Sequence, residues 1–286
     1  MSASMNWKGR LGVPYQGSKN AIAKEIISIL PRGKRFVDLF AGGCAMTHAA
    51  MISGKYETFL ANDLHGFGLR LFRDAIAGKC NGRWREWVSR EDFNANKNTD
   101  ALISLCWSFS NNGRDYLYSK NIESQKKTLH EQVVNCGSYA EWKNGKTHRD
   151  SHNNEREIGI ERLEALERLE ALERLEALER LEALERDYCE IKITADDVVY
   201  CDPPYANTQR YNTKKFDSLE FWDWVRSKPF PIFVSEYHAP DDFTPIWSKL
   251  KSVLMNQHGS DGQVREFLFV EKRFADRFQT DLFGNL

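Results

Sequence analysis

The chain has 286 residues, 41% of them hydrophobic, enough to bury one sizeable core with a smaller appendage. Its formal net charge of −1 at first argues against a nucleic-acid partner, but residues 161–186 hold nine Glu and five Arg, a balance of −4 that leaves +3 for the remainder. There is no secretion signal at the start, no apolar run long enough to cross a membrane and no paired cysteine spacing of the zinc or redox type, so the expectation is a cytoplasmic protein with reduced thiols. His148 and His152 stand four apart with Cys136 upstream, but no fourth ligand is evident and no metal is expected.

In chain order, the first motif is 14–19, Pro-Tyr-Gln-Gly-Ser-Lys, followed by helical spacing at Ile22, Ile26, Ile27 and Leu30. Lys19 is suited to a charge-assisted contact with a carboxylate, and Tyr15 to packing on a ligand; an isolated lysine would otherwise be solvated surface. Residues 34–43 have the shape of a strand, a tight glycine turn and a helix start running on to Met51. Glycines permit close backbone approach, and Asp38 at the strand end can accept a hydrogen bond from an amino group. About twenty residues beyond the turn, a second apolar strand over 58–62 ends on Asp63, the spacing at which a carboxylate binds ribose hydroxyls. The other reading of Asp63 is a cap for a helix over 64–77, and the two roles are compatible.

The middle of the chain is polar and locally basic. Arg114, Lys120, Lys126, Lys127, Lys143, Lys146 and Arg149 are interleaved with Tyr116, Tyr118, Tyr139 and Trp142, a mixture able to contact phosphates and unstacked bases. Residues 163–186 are four tandem copies of Leu-Glu-Ala-Leu-Glu-Arg. Every residue type favours helix, and Glu164 with Arg168 and Glu170 with Arg174 fall at the favourable separation, so one helix of about 40 Å is expected. A leucine at every third position does not fit a heptad; the segment reads as a spacer arm or oligomerisation helix, or as a duplication in a tolerant loop.

Residues 198–201 then read as a buried strand that ends where Asp202-Pro203-Pro204-Tyr205 begins. Two prolines stiffen the turn and fix where the Asp202 carboxylate and neighbouring carbonyls point. The carboxylate and the Pro203 carbonyl could hold the protons of an exocyclic amine, and Tyr205 offers a stacking face; the blander alternative is an Asp that closes a loop. Residues 230–235 form a further strand, and 251–257 with 264–272 flank a hairpin signal at 259–262. The sum is an α/β protein with a mixed sheet, antiparallel at its end, and helices on both faces.

The order of these motifs resembles the Dam-type (α-group) N6-adenine DNA methyltransferases, more closely their phage and prophage relatives. The resemblance covers roughly 11–78, the stretch 107–118, and 196–286. It implies a Rossmann-like methyltransferase fold and transfer of a methyl group from S-adenosylmethionine to an adenine flipped out of duplex DNA. Tyr15, Gly17, Ser18, Lys19, Asp38, Phe40, Gly42, Asp63, Leu64 and Asp202 would line the cofactor, and Asp202, Pro203, Pro204 and Tyr205 would hold the adenine. Asn111, Asn112, Arg114, Tyr116, Lys120, Lys126 and Lys127 would meet DNA, although the Arg-Tyr-Asn-x-x-Gly-x-Phe-Asn pattern associated with GATC recognition is absent. The implied organisation is a discontinuous catalytic domain, 1–90 with 187–286, a target-recognition region at 91–160 and the repeat at 161–186. Gln279, Leu282 and Phe283 resemble the Gln-x-x-Leu-Phe peptide that docks on bacterial replication sliding clamps. An RNA base-amino methyltransferase and a catalytically silent DNA-binding relative are the alternatives.

Overall fold

Short apolar runs alternating with helical segments favour a parallel sheet covered on both sides, because a strand buried on both faces needs hydrophobic residues at nearly every position. The computed structural model describes residues 10–80, 83–137, 141, 142, 145, 178–204, 216–253 and 262–278. Outside them lie Tyr205, Tyr139, Lys143, Lys146, His148, Arg149, His152, residues 163–177 of the repeat, the hairpin residues 259–261 and the tail residues Gln279, Leu282 and Phe283.

The described elements are α1 (Ala23–Ile29), β1 (Arg35–Asp38), α2 (Ala45–Ser53), β2 (Thr58–Asn62), α3 (Phe67–Ile76), α4 (Arg90–Asn96), α5 (Ala101–Cys106), α6 (Glu123–Asn135), β3 (Leu181–Leu184), β4 (Asp197–Cys201), α7 (Ser218–Arg226), β5 (Ile232–Glu236), β6 (Phe243–Val253), β7 (Gly262–Glu271) and α8 (Lys272–Ala275). The seven strands form one sheet in the order β3-β2-β1-β4-β5-β7-β6. The first five are mutually parallel, while β7 runs antiparallel to β5 and β6 antiparallel to β7. This is the mixed α/β sheet expected, with its antiparallel hairpin at one edge.

Two faces of the sheet carry separate cores. On one, Phe36, Phe59, Tyr200, Phe233, Leu268 and Val270 pack against α1 and α2 through Ile26, Ile27, Met46 and Ala49. On the other, Val37, Leu60, Val199 and Val234 meet Phe221, Trp222 and Val225 of α7. The alternation follows from the two-residue period of a strand. A third cluster joins Leu69 and Phe72 of α3 to Phe93, Trp107, Tyr116 and Trp142, so the middle segment packs on the flank of the sheet domain. Ser89 and Asp100 cap α4 and α5 through the amides of Asp92 and of Leu102 and Ile103. Among the described residues no helix is long and apolar enough to cross a membrane.

The repeat departs from expectation. Its last copy is not helix: Leu181–Leu184 is edge strand β3, parallel to β2 in the register Phe59↔Leu181 to Asn62↔Leu184. Pairing satisfies the outer edge of β2, and that tertiary gain overrides local helix propensity. The three-residue leucine spacing suits an edge strand that packs on both faces, since an odd spacing puts successive leucines on opposite sides: half-buried Leu181 packs with the α1/α2 and α3 cores, half-buried Leu184 with the α7 core. Arg180 anchors the entry, donating to the carbonyls of Tyr56 (2.7 Å) and Glu57. The sheet therefore takes in Leu181–Leu184, ahead of residue 187.

Candidate active site

Strand order reverses between β1 and β4, and ligand clefts of open α/β sheets form at the carboxyl ends of strands flanking such a point. Asp38 ends β1, Asp63 follows β2, Asp202 follows β4 and Glu236 ends β5, all at the same end of parallel strands. Backbone pairing sets Asp38 beside Tyr200, and the Leu39 amide donates to the Tyr200 carbonyl at 3.1 Å.

The amino-terminal segment is laid across the glycine turn. Val13 donates to the Gly43 carbonyl at 2.8 Å, and Gly12 donates to His48 Nδ1 at 3.0 Å. Burial pushes His48 down to about 3, so the imidazole is neutral and its nitrogen can accept. Tyr15 lies on the turn itself: a Cβ on Gly42 would stand 2.8 Å from its ring, and one on Gly43 2.5 Å from its Cβ. Gly42 also has φ +48, so glycine is required there on two counts.

Asp63 closes the turn from the other side. Its Oδ2 accepts from the Gly42 amide at 2.8 Å and its Oδ1 from the His65 amide at 2.8 Å. It is not the cap of α3, whose N-cap is Gly66 without a side-chain bond. Burial raises its pKa, partly offset by these two amides. Asn62, which sequence reasoning passed over, braces the same corner: its amide nitrogen donates to the Leu39 carbonyl at 3.1 Å and the Arg186 carbonyl at 3.0 Å, and its oxygen accepts from the Arg186 amide at 3.1 Å. An Asn at the last position of an apolar strand is the available signal, because a buried amide must find partners.

Asp38 is buried, with Oδ2 accepting from the Thr47 hydroxyl at 2.8 Å and Oδ1 without a hydrogen-bond partner. Burial pushes it up to about 7; the Thr47 bond opposes the shift and the Asp202 charge adds to it. Lys19 reaches across the end of the sheet to Asp202 Oδ1 at 2.9 Å and Glu266 Oε1 at 2.8 Å. Burial alone would favour the neutral amine, but the two carboxylates hold Lys19 charged and raise its pKa. The Ser235 hydroxyl donates to Glu266 Oε1 at 3.0 Å. Glu236, half-buried next in sequence, is pushed up to about 7 by burial, with the Tyr237 amide opposing and the Asp202 charge adding.

Tyr15, Lys19, Asp38, Gly42, Asp63 and Asp202 are thus brought together at the carboxyl end of the parallel strands. Pro203 is buried and Pro204 half-buried beside it, Leu64 is exposed at the rim, and Gly17 (φ +82) and Ser18 form the turn leading to Lys19. Phe40 packs in an aromatic cluster with Tyr188, Phe216 and Phe221. Glu266 is a further site residue that sequence reading missed, whereas Ser235 stands at the strand end, 235–237, that the resemblance places at the base pocket. The signal was present: Leu268 and Val270 are the core-facing positions of β7, so the same period places Glu266 on the buried face, where a charge demands a partner.

The middle segment supplies a structured loop. Ser108 pairs with Tyr116, the Gly113 amide donates to Ser108 Oγ at 2.8 Å, and Ser110 and Asn111 hold φ of 55° and 54°. Asn111 Nδ2 donates to the Leu105 carbonyl at 2.8 Å; Asn112 Oδ1 accepts from the amides of Arg114 and Asp115. Phe109 projects from this loop, 58% exposed, and Arg114, Lys120 and Lys127 are exposed. Two expected DNA contacts are corrected. Tyr116 is buried with its hydroxyl donating to the Val88 carbonyl at 2.8 Å, and Lys126 is buried with its ammonium 5.4 Å from the Tyr118 ring centre, so both serve packing.

The family model for D12 class N6 adenine-specific DNA methyltransferases matches residues 15–224, and the chain belongs to that family. No curated protein matches it. Membership makes the protein a DNA methyltransferase acting at adenine N6.

Proposed function

We propose that this D12 class enzyme takes its methyl group from S-adenosylmethionine, acts on an adenine rotated out of duplex DNA, and is of the Dam type, with affinity to the phage branch. The observation that carries the reading is the placement of Asp202, at the start of a rigid Pro-Pro turn, beside Lys19 and within the cleft bounded by Asp38 and Asp63. The cofactor would lie along the glycine turn: Asp38 Oδ1, buried without a partner, is an acceptor suited to an ammonium group, Tyr15 and Leu64 supply apolar surface, and Asp63 faces the ribose. When bound, S-adenosylmethionine supplies a methyl group made electrophilic by its sulfonium.

The chain's own work is positioning. Asp202 and the Pro203 carbonyl accept hydrogen bonds from the two N–H groups of the amine, which turns its lone pair out of the ring and toward the donor; as the N–C bond forms and the sulfur–carbon bond breaks, nitrogen gives up one proton. Lys19, with one positive charge, sits between two carboxylates, so the end of the sheet carries net negative charge where positive charge passes from donor to amine. Base extrusion is needed because N6 of a stacked adenine cannot reach a recessed turn. We assign 91–160 to target recognition, with Phe109, Asn112, Arg114, Lys120 and Lys127 toward DNA. Gln279, Leu282 and Phe283 lie outside the described residues, and clamp docking through them or association through the repeat has no structural support.

The test is transfer of labelled methyl to duplex DNA, with single-stranded RNA as the competing acceptor and digestion to identify the modified nucleoside. Label in N6-methyladenine from duplex DNA is expected; label only in RNA, or none with either acceptor, overturns the reading.

A further inference from the structure

We propose that Glu266 is a positioning residue for methyl transfer, acting through Lys19 to fix the Asp202 carboxylate; the inference rests on the proposed reaction at this cleft. Glu266 belongs to β7, beyond the stretch 15–224 that defines the family match. It is 0% exposed and Lys19 5%, whereas Asp202 keeps 18% of its side chain open to the cleft. A carboxylate wholly removed from water is strongly disfavoured unless it is paired, so its presence at this spot calls for a task that an apolar residue could not perform.

The geometry supplies that task. Lysine carries its charge on four flexible carbons, and a single partner would leave the ammonium free to swing about Asp202. Glu266 takes Lys19 at 2.8 Å and is itself held by the Ser235 hydroxyl at 3.0 Å, so the ammonium is tied to a fixed, fully buried carboxylate before it meets Asp202. These bonds have the short lengths of charge-assisted contacts. Lys19 then engages Asp202 through Oδ1, which sets the rotation of the carboxylate and directs its other oxygen to the amine. Strand alternation explains how distant residues meet: Asp202, Ser235 and Glu266 continue the same faces of β4, β5 and β7 that carry Tyr200, Phe233 and Leu268, and α1, which Lys19 precedes, packs on that face. Glu266 therefore makes the antiparallel hairpin part of the catalytic apparatus as well as an edge of the sheet.

Glu266→Gln keeps an oxygen for Lys19 and Ser235 while removing the charge. The expected result is a folded protein with KM for cofactor and DNA within about twofold of wild type and kcat lower by about tenfold to a hundredfold, the scale of loss from a slightly misplaced group. In a Lys19→Met background the same change is expected to cost nothing more, because the route to Asp202 is already cut. Wild-type kcat in folded Glu266→Gln, or an equal loss in the Lys19→Met background, would overturn the inference. If Glu266→Gln does not fold, the Lys19→Met/Glu266→Gln pair, which buries no net charge, decides: kcat equal to that of Lys19→Met supports it and a lower kcat sinks it. An inactive wild type would instead remove the functional reading on which this one rests.

Discussion

The Gly42 amide donates to Asp63 Oδ2 across 2.8 Å, so the glycine turn after β1 and the acid after β2 form one bonded unit. Tyr15 covers this unit from above, and α3 approaches it so closely that a Cβ on Gly68 would stand 1.9 Å from the Gly42 carbonyl oxygen. The glycine turn is therefore set by backbone contacts that tolerate no added atom.

Gly68→Ala tests that statement. The added Cβ would meet backbone and not a flexible side chain, so the turn or α3 must move, and a loss of about 1–3 kcal/mol in urea unfolding is expected, of the size typical for overpacking. It is accompanied by weaker binding of S-adenosylmethionine in calorimetry. Unchanged stability and affinity would mean that α3 shifts freely.

Asp38 gives a prediction in pH. Burial first, and the Asp202 charge in addition, raise its folded pKa from 3.8 to about 7 against the opposing Thr47 bond. Between these values the folded protein holds a proton that the unfolded chain has released, so the contribution of Asp38 to stability falls as pH rises from about 4 to about 7 and is level beyond. Asp38→Asn keeps an oxygen for Thr47 and loses the titration. The Tm of the variant relative to wild type is expected to climb across that window, while Glu236, pushed up to about 7, titrates alike in both proteins. A difference in Tm that does not change with pH would contradict the assignment.

Phe109 presents an exposed ring on a loop whose backbone is held at positive φ by its own hydrogen bonds. Strain of this kind concentrates at functional positions. Phe109→Ala removes little buried surface, so Tm is expected to stay within about 1 °C, a shift that corresponds to a few tenths of a kcal/mol. Affinity for duplex DNA, read by fluorescence anisotropy, is expected to fall about tenfold, the scale of one lost stacking contact. Unaltered DNA affinity would place the loop away from the duplex.

The repeat makes a copy-number prediction. Deleting 175–180 brings Arg174 directly before Leu181, so the residue that bonds to the Tyr56 and Glu57 carbonyls is preserved and β3 is unchanged. Stability and turnover are expected to match those of the full chain, since a change in the length of a connection costs little. Deleting 176–180 instead puts Leu175 at the arginine position and is expected to lower Tm. Equal Tm for the two deletions would show that the arginine anchor is dispensable.

Much of this architecture is legible in the sequence. Apolar runs ending on Asp38, Asp63 and Asp202 announced parallel strands with acids at one end, and the glycines at 259 and 262 announced the terminal hairpin. β3 was not legible, because Leu-Glu-Ala-Leu-Glu-Arg is helical by every local measure and becomes a strand only by pairing with β2. Tyr116 and Lys126 were misassigned for a related reason: composition shows that a segment is basic and aromatic, whereas packing decides which of its side chains face inward. Glu266 escaped because its partner, Lys19, lies near the other end of the chain.

The most direct test of the whole account is Asp202→Ala. Lys19 keeps Glu266 as a buried counterion, so the variant is expected to fold with nearly the Tm of wild type and to bind S-adenosylmethionine at the glycine turn. Methyl transfer to duplex DNA is expected to fall by about a thousandfold or more, as when a group that stabilises charge in the transition state is removed. A folded Asp202→Ala protein that methylates adenine at a rate near wild type would contradict the account.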